Sequence, residues 1–183
     1  MFKLFKKFFM KIIETNFKDL IIIKNDTYKD KRGYFKELLK ESLVKRKFPF
    51  QVMSFSKKNV IRGLHMQQKK SQGKFISVIK GKIYDVVVDL RKKSKTFGKK
   101  YSIILSDQNS KSLYIPEGFV HGFCALEKEN YVVYNCTNYR NKSSEVGIKY
   151  NDKKLKIRWP TKSPILSKKD CKNLSLNEYL EII

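Results

Sequence analysis

Histidine is nearly absent from this chain: among 183 residues only His65 and His121 occur. A three-histidine metal centre is therefore excluded, and no HxH or HxxxH pair supports a mixed histidine–carboxylate one. Cysteine is scarce too. Cys124, Cys136 and Cys171 form no CxxC pair and no even set, so they read as incidental thiols of a reducing cytosol rather than a disulfide framework. Long apolar runs are missing. The longest, around Leu20 to Ile23 and Val86 to Val88, are strand-sized and fall far short of the roughly 20 residues a membrane span requires. Helix-length periodicity is almost lacking before Asn173 to Ile183, and no repeat or low-complexity linker divides the chain. Acidic residues are few: 17 Asp and Glu stand against 41 Lys and Arg, a formal net charge of +24. Such a field favours phosphates, nucleic acid or anionic lipid. The excess is mostly lysine spread from end to end, as on a solvated surface. With no nucleic-acid module and no basic stripe interleaved with aromatics, nucleic acid is not an expected partner.

What remains is a β-rich globular chain. A hydrophobic content of 41% and an aromatic content of 13% exceed what a disordered chain carries, and the length fits one domain with a sizeable core. Residues 1–9, MFKLFKKFF, form a basic and aromatic tail. It lacks a cleavage site for a secretory signal, and reads either as a frayed or non-native start or as a weak anchor on an anionic membrane. The domain proper is expected over residues 10–183. Leu20 to Lys24 reads as a strand, Asp26 to Gly33 as a polar turn, Lys40 to Lys47 as a short helix, and Phe48 to Phe55 as a strand begun by Pro49. Strand signals then follow closely: Lys74 to Ile79, Ile83 to Leu90, Tyr101 to Leu105, Leu113 to Ile115, Phe119 to Leu126 and Tyr131 to Cys136. Lys80-Gly81-Lys82 reads as a tight hairpin between the first two. Many short strands separated by turns imply a sandwich or barrel, here expected as a β cup around Ile61 to Lys74, IRGLHMQQKKSQGK.

Taken one at a time, the chemistry-bearing residues have ordinary readings. His121, in Pro116-Glu117-Gly118-Phe119-Val120-His121, suits a turn that delivers a histidine into a barrel, and equally a satisfied core histidine. Tyr134 shares a strand face with Val132 and Cys136 and could be core. Asp170, after two lysines, could be a cap or a surface charge.

Together they resemble a known family. RGLH at Arg62 to His65, QGK at Gln72 to Lys74, VVVDLRKKSKTFGK at Val86 to Lys99 and IPEGFVHGF at Ile115 to Phe123 all match it. So do the Tyr134 strand and LKIRWP…PILSKKD at Leu155 to Asp170. In order and spacing these resemble the dTDP-4-dehydrorhamnose 3,5-epimerases, over about Arg32 to Asp170. The resemblance implies a mainly β, cupin-type jelly roll with short helices at the C-terminus, working without a cofactor as a cytoplasmic homodimer. Its substrate would be a nucleotide-diphosphate 4-keto-6-deoxy sugar, and its product would lead to L-rhamnose and cell-surface polysaccharide.

The implied chemistry is coherent. A C–H beside a ketone can be removed by imidazole if the enolate is stabilised, so a base, an opposing proton donor and a cation at the ketone oxygen are needed. The resemblance gives His65 as the base, Asp170 as its carboxylate partner, Tyr134 as the opposing acid and Lys74 as the cation. It gives Arg32, Arg62 and His121 to the sugar or diphosphate, arginine being suited to bidentate phosphate contacts. Glu37 and Glu145 also fall on substrate-binding positions. Three departures concern recognition. Asn135 stands where a lysine is common, Arg140 where a base-stacking tyrosine is common, and Gln51 to Ser54 replace a more polar substrate-holding stretch. A 3- or 5-monoepimerase of another 4-keto nucleotide sugar, and a non-catalytic sugar- or anion-binding cupin, are the alternative readings.

Overall fold

The computed structural model describes residues 10–182. The tail at 1–9, read as a frayed or non-native start or a weak membrane anchor, lies outside them, as does Ile183. Thirteen strands are present: β1 (Lys11–Glu14), β2 (Ile21–Lys24), β3 (Thr27–Asp30), β4 (Gly33–Lys36), β5 (Phe50–Lys57), β6 (Ile61–Gln67), β7 (Lys74–Lys80), β8 (Lys82–Asp89), β9 (Lys100–Ser106), β10 (Lys111–Ile115), β11 (Phe119–Ala125), β12 (Glu129–Cys136) and β13 (Glu145–Gly147). Two short helices, α1 (Glu41–Val44) and α2 (Leu176–Glu181), accompany them. No helix among the described residues is long and apolar enough to cross a membrane.

One sheet runs β1-β2-β10-β7-β12-β5 and the other β13-β6-β11-β8-β9, with β3 and β4 forming a separate hairpin. Every pairing between these strands is antiparallel. The result is the mainly β, cupin-type jelly roll. Its chain crosses from one sheet to the other at nearly every connection between β5 and β12. Lys80-Gly81-Lys82 is one such crossing and not a hairpin, since β7 and β8 belong to different sheets. Gly81 has φ +88° and a Cβ there would lie 2.3 Å from the Glu129 carbonyl, so glycine marks a corner pressed against the β11–β12 connection. The Asp26 to Gly33 turn is likewise shorter than expected, because Thr27–Asp30 pair with Gly33–Lys36 as a hairpin.

Alternation assigns the faces. Ile76 and Val78 of β7, Val87 of β8, Phe119 and Phe123 of β11, and Val132 of β12 meet between the sheets. The intervening Leu64, Val88 and Val120 point to the outer face of the second sheet, where Ile148, Leu155, Leu176 and Tyr179 cover them. Ile23, Phe75 and Tyr114 are covered on the outer face of the first sheet by Leu39, Val44 and Phe48. Strands buried on both faces need apolar residues at every position, which is why β8 reads as a continuous run rather than an alternation. Each fully buried Leu, Ile, Val or Phe contributes about 1.5–3 kcal/mol.

Helix α2 begins at Ser175, whose side chain accepts from the Glu178 amide while the Glu178 carboxylate accepts from the Ser175 amide. It starts later than the expected Asn173, because Asn173 and Leu174 are still extended and Leu174 bridges to Ile148. The segment before it lies along β6: the Ile61 amide donates to the Ile165 carbonyl at 3.0 Å, and the Ile165 amide to Asn59 at 2.9 Å. This strap carries Asp170 to the open end of the sandwich.

Candidate active site

The same alternation places four polar side chains on inner faces. His65 on β6 and His121 on β11 are direct register partners. Lys74 opens β7, and Tyr134 lies on β12 opposite Ile76. One end of the interior is thus filled with apolar side chains, and the other opens as a cleft of about 560 Å³ lined by all four. Glycines permit the close approach of β6 and β11. Gly63 has φ +120°, and a Cβ there would lie 2.6 Å from the Gly122 Cα.

His65 Nε2 and Asp170 Oδ1 are 2.5 Å apart, with Asp170 only 5% exposed. Burial pushes the Asp170 carboxyl pKa up, but hydrogen bonds from His65 and Ser167 and the Gly63 amide outweigh it and leave it below the usual carboxylate value. The Asp170 amide donates to Ser167 Oγ at 3.0 Å, fixing the turn that presents the carboxylate. A charged carboxylate on one ring nitrogen sets the tautomer and stabilises imidazolium when the other nitrogen takes a proton.

Tyr134 lines the same cleft as His65 from the opposite sheet. Its hydroxyl is 3.0 Å from Ser54 Oγ, and its ring meets His121 edge-on with centroids 6.5 Å apart. Burial, reinforced by the charge of Asp85, holds this phenol far above its usual range, with Ser54 opposing. Burial thus favours the neutral phenol. Lys74 sits between the two sheets, and among the described residues no hydrogen bond or ion pair holds its Nζ. Burial pushes its pKa down, partly opposed by Cys136, Glu145 and Asp85. An unpaired cation in a half-dry cleft is suited to an oxygen on which negative charge develops.

His121 is tied differently. Its Nε2 is 2.8 Å from Asp85 Oδ2, with both side chains buried, and Asp85 Oδ1 has no hydrogen-bond partner among the described residues. Arg62 reaches the cleft mouth braced by Ser56 Oγ at 2.9 Å and the Phe55 carbonyl at 2.8 Å. At the rim, Glu145 accepts from Arg140 Nε and Lys169 Nζ, each at 2.5 Å. The Arg140 hydrogen bond is the main reason the Glu145 pKa falls to about 2.

Eight expected site residues therefore line one cleft: His65, Asp170, Tyr134, Lys74, Arg62, His121, Arg140 and Glu145. Three do not. Arg32 lies at the tip of the β3–β4 hairpin, its side chain 85% exposed and paired with Asp30 at 2.6 Å. Glu37, just after that hairpin, is exposed. Gln51 on edge strand β5 points away and donates to Asn135 Oδ1 at 2.7 Å. Sequence reasoning did not single out Asp85 or Lys169, and met Ser54 only as the end of the Gln51 to Ser54 stretch. Asp85 carried a signal, a carboxylate inside the apolar run of β8, whereas Lys169 carried none. Among the described residues no three of His, Cys, Asp and Glu gather as a metal site.

Comparison with known proteins shows the family. The family model for dTDP-4-dehydrorhamnose 3,5-epimerase matches residues 14–178. A dTDP-4-dehydrorhamnose 3,5-epimerase of Shigella flexneri is 42% identical over 168 residues, spanning 88% of this chain and 93% of its own. The crystal structure of the Bacillus anthracis enzyme of that name, with TDP and PPi bound, is 41% identical with a TM-score of 0.89, covering 92% of this chain and all of that one (100%). A Legionella pneumophila dTDP-6-deoxy-D-glucose-3,5-epimerase in complex with dTDP-4-keto-L-rhamnose is 40% identical with a TM-score of 0.89, covering 92% and 94%.

Proposed function

Because the chain belongs to the dTDP-4-dehydrorhamnose 3,5-epimerase family, we propose how its cleft performs that reaction. The enzyme is an isomerase that inverts C3 and C5 of a dTDP-4-keto-6-deoxy-hexose, in the biosynthesis of dTDP-L-rhamnose-type sugars. The single observation that carries the mechanism is the placement of His65 on one sheet, paired with Asp170 from the strap, and Tyr134 on the other, lining one cleft.

The ketone at C4 acidifies the hydrogens on C3 and C5. With Nε2 held by Asp170, His65 takes a proton at Nδ1 from the ring face it meets. The electron pair of the broken C–H bond moves to the C4 oxygen, where Lys74 stabilises the enolate. Tyr134 returns a proton to the same carbon from the opposite face; His65 then gives its proton to solvent and the Tyr134 phenolate takes one back, and repetition at the second carbon completes the change. Arg62 at the mouth and the inner His121 hold the diphosphate and sugar, with Arg140 and Glu145 at the nucleotide end. Solvent-deuterium incorporation into a dTDP-4-keto-6-deoxy-glucose, followed by proton NMR, tests this. Label should enter C3 and C5 with the native chain, and His65→Ala should abolish entry at both. Entry at one carbon only would make it a monoepimerase, and normal exchange in the variant would remove His65 from its role.

Arg32 and Glu37 fit this reading through a homodimer. On one chain they lie outside the cleft, on an arm that also exposes Tyr34 (61%) and Phe35 (65%), while β5 exposes Met53 (63%) along its free edge. Covering such surfaces with a second copy would bring the arm of each chain to the other. Light scattering should give a dimer, and Arg32→Ala should weaken nucleotide-sugar binding without dissociating it. A monomeric active enzyme contradicts this part.

A further inference from the structure

Gln67 ends β6 two residues beyond His65 and is only 4% exposed. Its Nε2 donates to the carbonyls of Lys70 at 2.6 Å and Tyr139 at 3.2 Å, and its Oε1 accepts the Asn141 amide at 2.7 Å. Both amide protons are thereby spent on backbone, so the side chain has no donor left for a ligand. The two last bonds fall on either side of Arg140. Arg140 is exposed at the cleft rim, and its guanidinium is gripped by Glu145 through Nε at 2.5 Å and Nη2 at 3.2 Å. Glu145, on β13, is in turn the register partner of Gln67. Backbone and side chain of Arg140 are thus fixed from the same place in the second sheet. Arginine side chains free in solvent lose rotamer freedom when held, so a rim arginine already held binds at lower entropic cost.

We propose that Gln67 is a positioning residue for substrate binding, acting through Arg140. This rests on the reading of the cleft as a nucleotide-sugar site. It sets how tightly the substrate is held and leaves proton transfer at His65 untouched. The structure supports a binding effect because the three hydrogen bonds order the 139–141 segment, while His65 takes its own orientation from Asp170.

The test is a double-mutant cycle on the full chain with Gln67→Leu, Arg140→Ala and both together, reading kcat and KM for the 4-keto nucleotide sugar. Each single variant should raise KM about tenfold, the size of one lost hydrogen bond to a charged group, with kcat within twofold of native. The double variant should be no worse than Arg140→Ala alone. Multiplying effects, an unchanged KM, or a fall in kcat with KM unaltered would overturn the proposal. If Gln67→Leu does not fold, Gln67→Glu keeps the volume and the acceptor but loses both donors, and the same outcomes apply. Native activity with a null cycle refutes the role of Gln67 alone, whereas an inactive native chain refutes the reading of the site.

Discussion

Replacing Asp170 with asparagine keeps the shape of the dyad and removes its charge. In the native site Asp170 Oδ1 lies 2.5 Å from His65 Nε2, which puts the charge centres of carboxylate and imidazolium about 4 Å apart. At an effective dielectric of about 20 this attraction is worth about 4 kcal/mol. The His65 side chain is 31% exposed, so water screens part of it and about 2–4 kcal/mol remains. That stabilisation appears only once the imidazole has taken the substrate proton, so it bears on the barrier and not on binding. At 1.36 kcal/mol per decade, Asp170→Asn should slow proton abstraction roughly 30- to 1000-fold. The assay is the initial rate of deuterium entry at C3 under saturating substrate, with thermal unfolding as a check that the variant is folded. A folded variant exchanging within threefold of native would mean that the carboxylate does not stabilise a charged His65.

Other perturbations probe the remaining parts. Lys74→Met should lower exchange about 10²- to 10³-fold, as for loss of one donor to a developing oxyanion, with substrate affinity measured by calorimetry little changed. Asp89, fully buried at the end of β8, accepts from Arg91, Ser94 and Thr96; Asp89→Asn should destabilise the fold by about 3 kcal/mol in urea titrations. The pH dependence follows from depressed carboxyls. At Asp89 burial raises the pKa, but the hydrogen bonds from Arg91, Ser94 and Thr96 win and set it at about 2, like that of Glu145. Groups whose folded pKa lies below the unfolded value of about 4 stabilise fully above that value. Denaturation midpoints should therefore be level near neutrality and fall as pH drops from about 4 to about 2. A stability that rises over that interval contradicts the assignment.

Much of this molecule was readable before folding was considered, for identifiable reasons. Strands β7 to β12 announce themselves because short apolar or alternating runs bounded by Gly or Asn turns are local properties. That His65, Lys74, Tyr134 and Asp170 would share one cleft was readable because they sit in separate motifs whose order matched a family. What stayed hidden is long-range. Gly81 with positive φ suits a hairpin and a corner between sheets equally well, and only the pairing of β7 with β12 and of β8 with β11 decides between them. Strand β13 is three residues long and owes its existence to the edge of β6. The partnership of His121 with Asp85, 36 residues away, and the bracketing of Arg140 by Gln67 arise from register across strands. The positions of Arg32 and Glu37 outside the cleft could not be read at all, because a hairpin arm projecting from the body leaves no local signature.

The account stands on two groups that handle a proton from opposite faces of one sugar ring. Tyr134→Phe in deuterated water tests this most directly, because the substitution removes the donor and leaves His65 with Asp170 intact. Deuterium should still enter C3 and C5 while the starting configuration is retained, giving labelled but uninverted sugar. Inverted product formed at the native rate would contradict it.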